Sequence, residues 1–583
     1  MRRDNPASFF GGMKLSLKRI AIWLGVTFID AILAWSVVVL STNGSYGLAV
    51  IVVLLLIFID YALINPKGYP FLYMIPALIF MMILTVYPIY YTFQIAFENY
   101  MTGYMWSRQQ VMDTLLNTIV IKPNPKYFDY SVYTLYKGYV PSDRFVLLLK
   151  GEDGKLYIAE MPQQSGKRYI SRFEMLTDGS VSINGMTYSI VRSVKDPSKI
   201  ISITSKNGVY NYFYNPADHD TFPNLKFFNM HYSSILSDTE FVNPQVGTLF
   251  FTNKYGFSKL VTAKYEYTLS RMTVLENGKN VEKTVLINTI TGMPVIERDY
   301  AFWNVDPETG KKTKIMGYYG YAGLKNFKDL LTNKQIMSPF LSVFIWTFEW
   351  AALSVFFTFG VGLILAIILN NRRMKFRSIY RTLLIIPWAI PAFISIIMFR
   401  VGFFNVSFGI INKIFLEKWL HLGPIDWFGN AFWAKVALLL VNTWLGFPYM
   451  MVISLGALQS IPNELYEAAS IDGASKWHAF WKITFPLLMI PLAPLLVASF
   501  AFNFNNFNVI YLLTGGGPPI PNSITPAGQT DILLSYTYNL AFGGASGRNY
   551  GLAAAISILI FIIIATISAV NFKLSGSFEE VNK

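Results

Sequence analysis

Ser499, Phe502, Asn503 and Asn506 follow one another at steps of three, one and three residues inside a long apolar run. Asn442, Leu445, Gly446 and Tyr449 repeat the same steps in another. On a helix each set falls on one face. Polar residues inside a bilayer are costly and mostly face a cavity or a partner helix. Amides donate to and accept from hydroxyls, aromatic rings cover the apolar faces of pyranose rings, and Gly446 leaves a bare patch of backbone. Neither face carries a charge. This chemistry holds a neutral sugar and breaks no bond. The alternative use of buried Asn is hydrogen bonding between helices, worth roughly 1 kcal/mol each. Asn505 and Asn508 point away from the stripe on a continuous helix and are assigned to that alternative.

A second segment reads as machinery for contact with another protein. Glu467-Ala468-Ala469-Ser470-Ile471-Asp472-Gly473-Ala474 is followed by Ile483-Thr484-Phe485-Pro486. The spacing predicts two short helices meeting at Gly473, which permits a tight turn. Glu464 and Glu467 fall in the first turns, where the helix dipole favours anions. Ala468 and Ala469 make a flat surface that a neighbour can approach closely. Pro486 marks the entry to the next apolar run.

Nothing in the chain suggests covalent chemistry. There is no Cys among 583 residues, so disulfides, thiolate metal sites and Cys nucleophiles are excluded. No glycine-rich phosphate loop with its Lys and Ser/Thr is present; Gly310-Lys311-Lys312-Thr313 lacks the spacing. Any nucleotide hydrolysis must come from another subunit, and this chain needs no cofactor or metal of its own.

These residues must be positioned by membrane helices. The chain is 53% hydrophobic and 14% charged, against about 25% charged in soluble domains. The net charge of +14 sits mainly in short loops beside apolar runs, a placement that speaks of membrane orientation rather than nucleic acid. A span needs roughly 20 apolar residues. Candidates lie at about 20–40, 47–64, 71–97, 339–369, 379–401, 432–458, 484–513 and 549–571, eight in all. Arg2, Arg3, Lys14, Lys18 and Arg19, then Lys67, then Arg372, Arg373, Lys375, Arg377 and Arg381, fall on one side of that topology. The positive-inside rule makes that side the cytoplasm, with both termini there. The division is 1–97 (three spans), 98–337 (a large external insert) and 338–583 (five spans, with a cytoplasmic loop at 461–486).

The insert reads as mainly β. Its five turn signals are Asp153-Gly154, Asp178-Gly179, Asn184-Gly185, Asn207-Gly208 and Asn277-Gly278. Several are flanked by alternating runs, the strongest short-range hairpin signal. It is either a folded spacer or a docking surface for an extracytoplasmic partner.

The Glu467–Pro486 segment resembles the EAA loop of ATP-binding-cassette importer permeases, with Phe485 where Leu is common. From about 339 to 571 the chain is similar to the maltose-transporter permease family of the MalF type. The similarity includes Asn442–Tyr449, Ser499–Phe507, Thr525-Pro526-Ala527-Gly528 with Thr530-Asp531, and Gly551–Ile556. The resemblance implies a type I ABC importer transmembrane core. It implies a sugar site at Trp388, Asn442, Leu445, Gly446, Tyr449, Ser499, Phe502, Asn503 and Asn506. It implies coupling to the ATPase through Glu467, Ala468, Ala469, Asp472 and Gly473. Trp388 and Ala392 stand where the family has Tyr and Ser, which keeps a stacking surface and removes two hydroxyls. The implied partners are a second, MalG-like permease, two copies of a MalK-like ATPase that uses ATP and Mg, an extracytoplasmic sugar-binding protein, and maltose or maltodextrin. The implied location is a bacterial cytoplasmic membrane.

Two other readings stand beside this one. An ion-coupled secondary transporter would lean on Asp30 and Glu349, which fall within spans. A membrane-anchored enzyme or receptor would have its activity in the insert, where no acid/base pair or metal-ligand cluster is visible. Asp60 is interfacial. Pro387, Pro391, Pro491 and Pro494 interrupt spans and either bend them for gating or set a static shape.

Overall fold

The computed structural model describes residues 17–42, 46–64, 74–137 apart from 75, 76, 78 and 79, 140–161, 169–214, 235–251 apart from 237, 259–276, 279–371, 374–543 and 547–574. The chain folds as two compact units, Met1–Met105 with Tyr319–Lys583, and Trp106–Tyr318. Residues 98–105 and 319–337, expected in the insert, belong to the first unit. Arg2, Arg3, Lys14, Lys67, Arg372 and Arg373, which carry much of the orientation argument, lie outside the described residues.

The first unit is helical. It holds α1 (Leu17–Thr42), α2 (Tyr46–Ile64) and α3 (Tyr87–Ala96). After α4 (Arg108–Asn117) of the other unit come α5 (Lys325–Thr332), α6 (Lys334–Asn370), α7 (Arg377–Ala389), α8 (Ala392–Met398) and α9 (Ala431–Gln459). Then follow α10 (Glu464–Ile471), α11 (Lys476–Ala479), α12 (Phe485–Phe504), α13 (Phe507–Leu513), α14 (Leu533–Phe542) and α15 (Tyr550–Leu574).

Among the described residues, four helices are long and apolar enough to cross a bilayer: α6, α9, the run Lys476–Phe504 ending in α12, and Tyr550–Val570 in α15. α7 and α8 add a fifth only as a pair bent by 86°. The expected eight spans are therefore not all found. Thr27–Thr42 and Gly47–Tyr61 are apolar but shorter, and 71–97 is only partly described.

Two expected continuous spans are broken. At 379–401 the break falls at Ile390-Pro391, with Ile390 extended at φ −82, ψ 130. Proline disfavours the helical conformation in the residue before it. At 484–513 the helix stops at Phe504 and restarts at Phe507. Pro491 and Pro494, in contrast, lie inside an uninterrupted α12.

The long helices start at polar caps. The Asn333 side chain accepts from the Gln335 N–H at 3.1 Å, and that of Asn430 accepts from the Phe432 N–H at 2.9 Å. Such caps satisfy donors that a helix end leaves orphaned. α6 and α9 pack along their lengths. Between them and α13, Trp346, Trp350, Val441, Val509 and Ile510 form part of one buried cluster.

Between α13 and α14, outside the spanning helices, Asp531 is 1% exposed. It accepts from the Gly528 N–H at 2.8 Å and the Ser535 hydroxyl at 2.7 Å, with the Asn539 amide at 3.3 Å. Burial pushes its carboxyl up to about 6, and these hydrogen bonds hold the rise back. The folded-state value lies above the unfolded one. The carboxyl's contribution to stability is therefore fully present below the unfolded value of 3.8 and is lost as pH rises through about 6. The expected result is a melting temperature of the solubilised protein that rises between pH 7 and pH 5. The rise should be smaller in Asp531→Asn; an equal rise in both would remove Asp531 as its source.

The second unit is β, and period-2 alternation shows why. Phe128, Tyr130 and Val132 of β2 (Tyr127–Lys137), with Phe145, Leu147 and Leu149 of β3 (Val140–Gly151), point into one core. Tyr133, Val146 and Leu148 point into a second core on the other face. The other strands of this sheet are β1 (Ile119–Ile121), β4 (Leu156–Glu160), β5 (Tyr169–Met175), β6 (Ser180–Ile183), β7 (Met186–Arg192), β8 (Ile200–Ser205), β9 (Gly208–Tyr214), β10 (Thr239–Asn243), β11 (Gly247–Phe251) and β12 (Lys259–Tyr265). The sheet order is β1-β12-β11-β10-β5-β4-β3-β2-β9-β8-β7-β6, and β12 also pairs with β2. That extra pairing closes seven strands, β2 to β5 and β10 to β12, into a ring around the first core.

The turn signals at Asp153 and Asn184 sit in the β3–β4 and β6–β7 hairpin connections, whereas Asp178 turns the chain between β5 and β6, which do not pair with each other; Asp178 and Asn184 hold φ of 52 and 50. At the fourth signal Gly208 opens β9 (Gly208–Tyr214), and Lys206-Asn207 make the two-residue connection of the β8–β9 hairpin. Asn277-Gly278 lie outside the described residues, between strands that pair Glu276 with Lys279.

Candidate functional site

The helical unit encloses a cavity of about 720 Å³, within the usual range for small-ligand sites. Its walls come from α7 and α8 at their bend, from the middle of α9, and from the broken end of α12. Trp388 lines it from the bend; Asn442, Leu445, Gly446 and Tyr449 from α9; Ser499, Phe502, Asn503 and Asn506 from the α12–α13 break. No charged side chain lines it.

The aromatic wall is open to a ligand. The rings of Trp388 and Tyr449 lie 6.1 Å apart at 51°, and Phe502 is 70% exposed. The polar wall is a chain of amides. Asn442 Nδ2 donates to Asn503 Oδ1 at 2.9 Å, Asn506 Nδ2 donates to Asn442 Oδ1 at 3.3 Å, and Asn503 Nδ2 donates to the Ser499 carbonyl at 2.8 Å. Asn442 and Asn503 are nearly buried, whereas Ser499 and Asn506 are half-buried. The two buried amides thus bond helix to helix and also line the cavity.

Three site readings change. Asn506 is not on a continuous helix face; it occupies the break, at φ −76, ψ 73. Because of that break Asn508, assigned to helix–helix bonding, lines the cavity and is exposed. Asn505 does not line it. Gly446 is on the wall, but a Cβ there would also lie 2.7 Å from Thr358 Cγ2 on α6. Its smallness serves helix packing as well as access.

Sequence reasoning missed Thr358, which lines the cavity from α6. The i, i+4 pair Ser354 and Thr358 in an otherwise apolar span was the available signal. Asp30 and Glu349, the carboxylates an ion-coupled carrier would need, are not on the cavity wall.

The segment from Glu464 to Pro486 takes the expected shape of two short helices meeting at Gly473. α10 opens with Glu464 and Glu467 in its first turn and ends at Asp472, whose N–H donates to the Ala468 carbonyl at 3.0 Å. Gly473 follows at φ 75, a conformation that L side chains resist. Ser475 then caps α11, accepting from the His478 N–H at 3.2 Å. From Lys476 the chain continues without a break into α12. Tyr466 and Thr484 hydroxyls, 3.0 Å apart, tie α10 to that helix. Glu467, Ala468, Asp472 and Gly473 are exposed and Ala469 is half-buried. Beside them Ile471 and Trp477 are 86% and 71% exposed.

Comparison with known proteins agrees with this layout. Residues 358–573 match the family model described as binding-protein-dependent transport system inner membrane component. Residues 79–161 match the N-terminal region of the transmembrane subunit in PBP-dependent ABC transporters, and residues 26–68 match a domain of unknown function. The chain is 34% identical over 559 residues to the maltose/maltodextrin transport system permease protein MalF of Yersinia pestis, covering 95% of this chain and 94% of that one. Its identity to the same protein of Escherichia coli K12 is 32% over 552 residues, covering 94% and 96%. A chain of a bacterial ABC transporter involved in alginate import is 25% identical, with 43% of this chain and 83% of that chain covered at a TM-score of 0.37.

Helical unit, β insert and family models together define a multi-pass inner-membrane component of a binding-protein-dependent transport system. Identity above 30% along nearly the whole length narrows this further. The chain belongs to the MalF family of maltose/maltodextrin transport system permease proteins.

Proposed function

We propose that this chain is the permease subunit of an ATP-driven importer for maltose or maltodextrins. The observation that carries the reading is the uncharged cavity, walled by amides on one side and by Trp388, Tyr449 and Phe502 on the other. Sugars need this combination: hydroxyls satisfied by amides, ring faces covered by aromatics, and no ion. The names of the relatives support maltose and its oligomers as the sugar.

In this reading the chain breaks no bond. ATP and Mg are used by two copies of a cytoplasmic ATPase. The exposed surface around Glu467, Ile471 and Trp477 docks on it. Because α11 runs directly into α12, movement of the loop is carried by one helix to Ser499, Phe502 and Asn503. That gives alternating access to the cavity. A second, related permease completes the pathway, and an extracytoplasmic sugar-binding protein delivers substrate, with the β unit as its docking surface. Both termini and the Glu467 loop face the cytoplasm.

The test is ATPase activity and uptake in the reconstituted complex across a panel of neutral and charged glycosides. Maltose and maltodextrins should stimulate both. Stimulation by charged sugars alone, or uptake driven by a proton gradient without ATP, would overturn the reading.

A further inference from the structure

We infer that Trp350 is a positioning residue for the sugar site, acting through the broken end of α12. The inference rests on the cavity being the sugar site. Trp350 lies on α6, is 0% exposed, and does not line the cavity. Its indole N–H donates to the backbone carbonyl of Asn503 at 3.0 Å.

That carbonyl belongs to the last turn of α12, where the break removes the regular partner of each terminal carbonyl. Within the segment it receives the Asn506 N–H at 3.0 Å. The indole supplies the remaining bond from another helix. The indole bond adds to the one made within the segment and ties the end of α12 to α6, which fixes where the helix stops. Where it stops decides the site. Asn503 and Asn506 on either side of the break both bond to Asn442, and Asn508 reaches the cavity only because the helix has ended.

One turn earlier on α6 the same device recurs, with Trp346 Nε1 donating to the Thr530 carbonyl at 3.2 Å. α6 therefore holds two irregular backbone segments by tryptophan side chains, and Trp350 holds the one that carries the amides.

Trp427 supplies the control. It is buried in the same cluster, and its indole donates to the Asn412 side chain at 3.1 Å, away from the cavity. In the reconstituted complex Trp350→Phe should raise the half-saturating sugar concentration about five- to tenfold, the worth of roughly one hydrogen bond. Trp427→Phe should change it less than about twofold. Replacing Trp350 by 3-benzothienylalanine keeps the ring shape and removes only the donor. It should reproduce the Trp350→Phe shift and answers the question even where Phe impairs assembly.

In an Asn503→Ala background the Trp350→Phe effect should shrink below about threefold, because most of what it positions is gone. Equal shifts in Trp350→Phe and Trp427→Phe, or an unchanged value with benzothienylalanine, overturn the inference. If Asn503→Ala itself leaves the sugar response intact, it is the sugar-site reading that fails.

Discussion

Asn503→Ala should raise the half-saturating maltose concentration of the reconstituted complex by about two orders of magnitude, an effect near 2.7 kcal/mol. Three losses add in that variant. The amide that faces the cavity disappears. Asn442 Nδ2 loses its 2.9 Å acceptor in a site where it is 5% exposed, and leaving such a group unpaired costs about 1–3 kcal/mol. The Ser499 carbonyl loses its 2.8 Å donor, so the wall beside it is freed to move. Asn506→Ala removes a longer and more exposed bond, 3.3 Å to Asn442, and should cost closer to tenfold. Sugar-stimulated ATPase measured against maltose concentration reads both. Wild-type behaviour of Asn503→Ala in a complex that assembles normally would remove the sugar from this cavity.

The double variant Glu467→Ala with Gly473→Val should abolish uptake and leave ATP hydrolysis, where the complex still assembles, indifferent to sugar. Gly473 holds φ 75, where an L residue is strained by roughly 1–2 kcal/mol and a β-branched one by more. Relief of that strain unwinds the end of α10 and moves Asp472 and Ile471 out of register with α11. Glu467 is exposed in the first turn of α10, so its removal leaves the fold alone and subtracts only a contact to a neighbour. The cavity side chains on α9 are untouched, so direct binding of sugar to the permease should survive. Normal uptake in the double variant would show that force does not pass through this loop.

The two predictions address opposite ends of one helix. Lys476–Phe504 is continuous, with the exposed loop before its start and the amide break after its end. In the proposed reading a displacement of the loop reaches the cavity wall along this one helix, past its π-helical turn at Phe480–Thr484 and past Pro491 and Pro494. The bend of 86° between α7 and α8 supplies the facing wall, and its cause is local, the proline at 391.

Much of this was written in the sequence because the forces involved are local or act on composition. A bilayer excludes charge, so the apolar runs at 339–369, 432–458 and 549–571 announce themselves. Asp and Asn before Gly tolerate positive φ, so the turn at 178–179 and the β6–β7 hairpin at 184–185 were legible. Gly473 between two short helical patterns marked the turn from α10 to α11. Helical steps of three and four brought Asn442 to Tyr449, and Ser499 to Asn503, onto common faces.

What the tertiary structure alone decided depends on partners far away in the chain. The stop at Phe504 has no proline or glycine to signal it and is held by the indole of Trp350, from a helix more than a hundred residues earlier. That stop moved Asn508 onto the cavity wall and made Asn506 a break residue. The Asn442–Asn503 bond, the packing of Gly446 against Thr358, and the β2–β12 pairing that closes the ring of strands are likewise contacts between distant segments. Local propensity does not encode them, because each exists only when two elements are already packed.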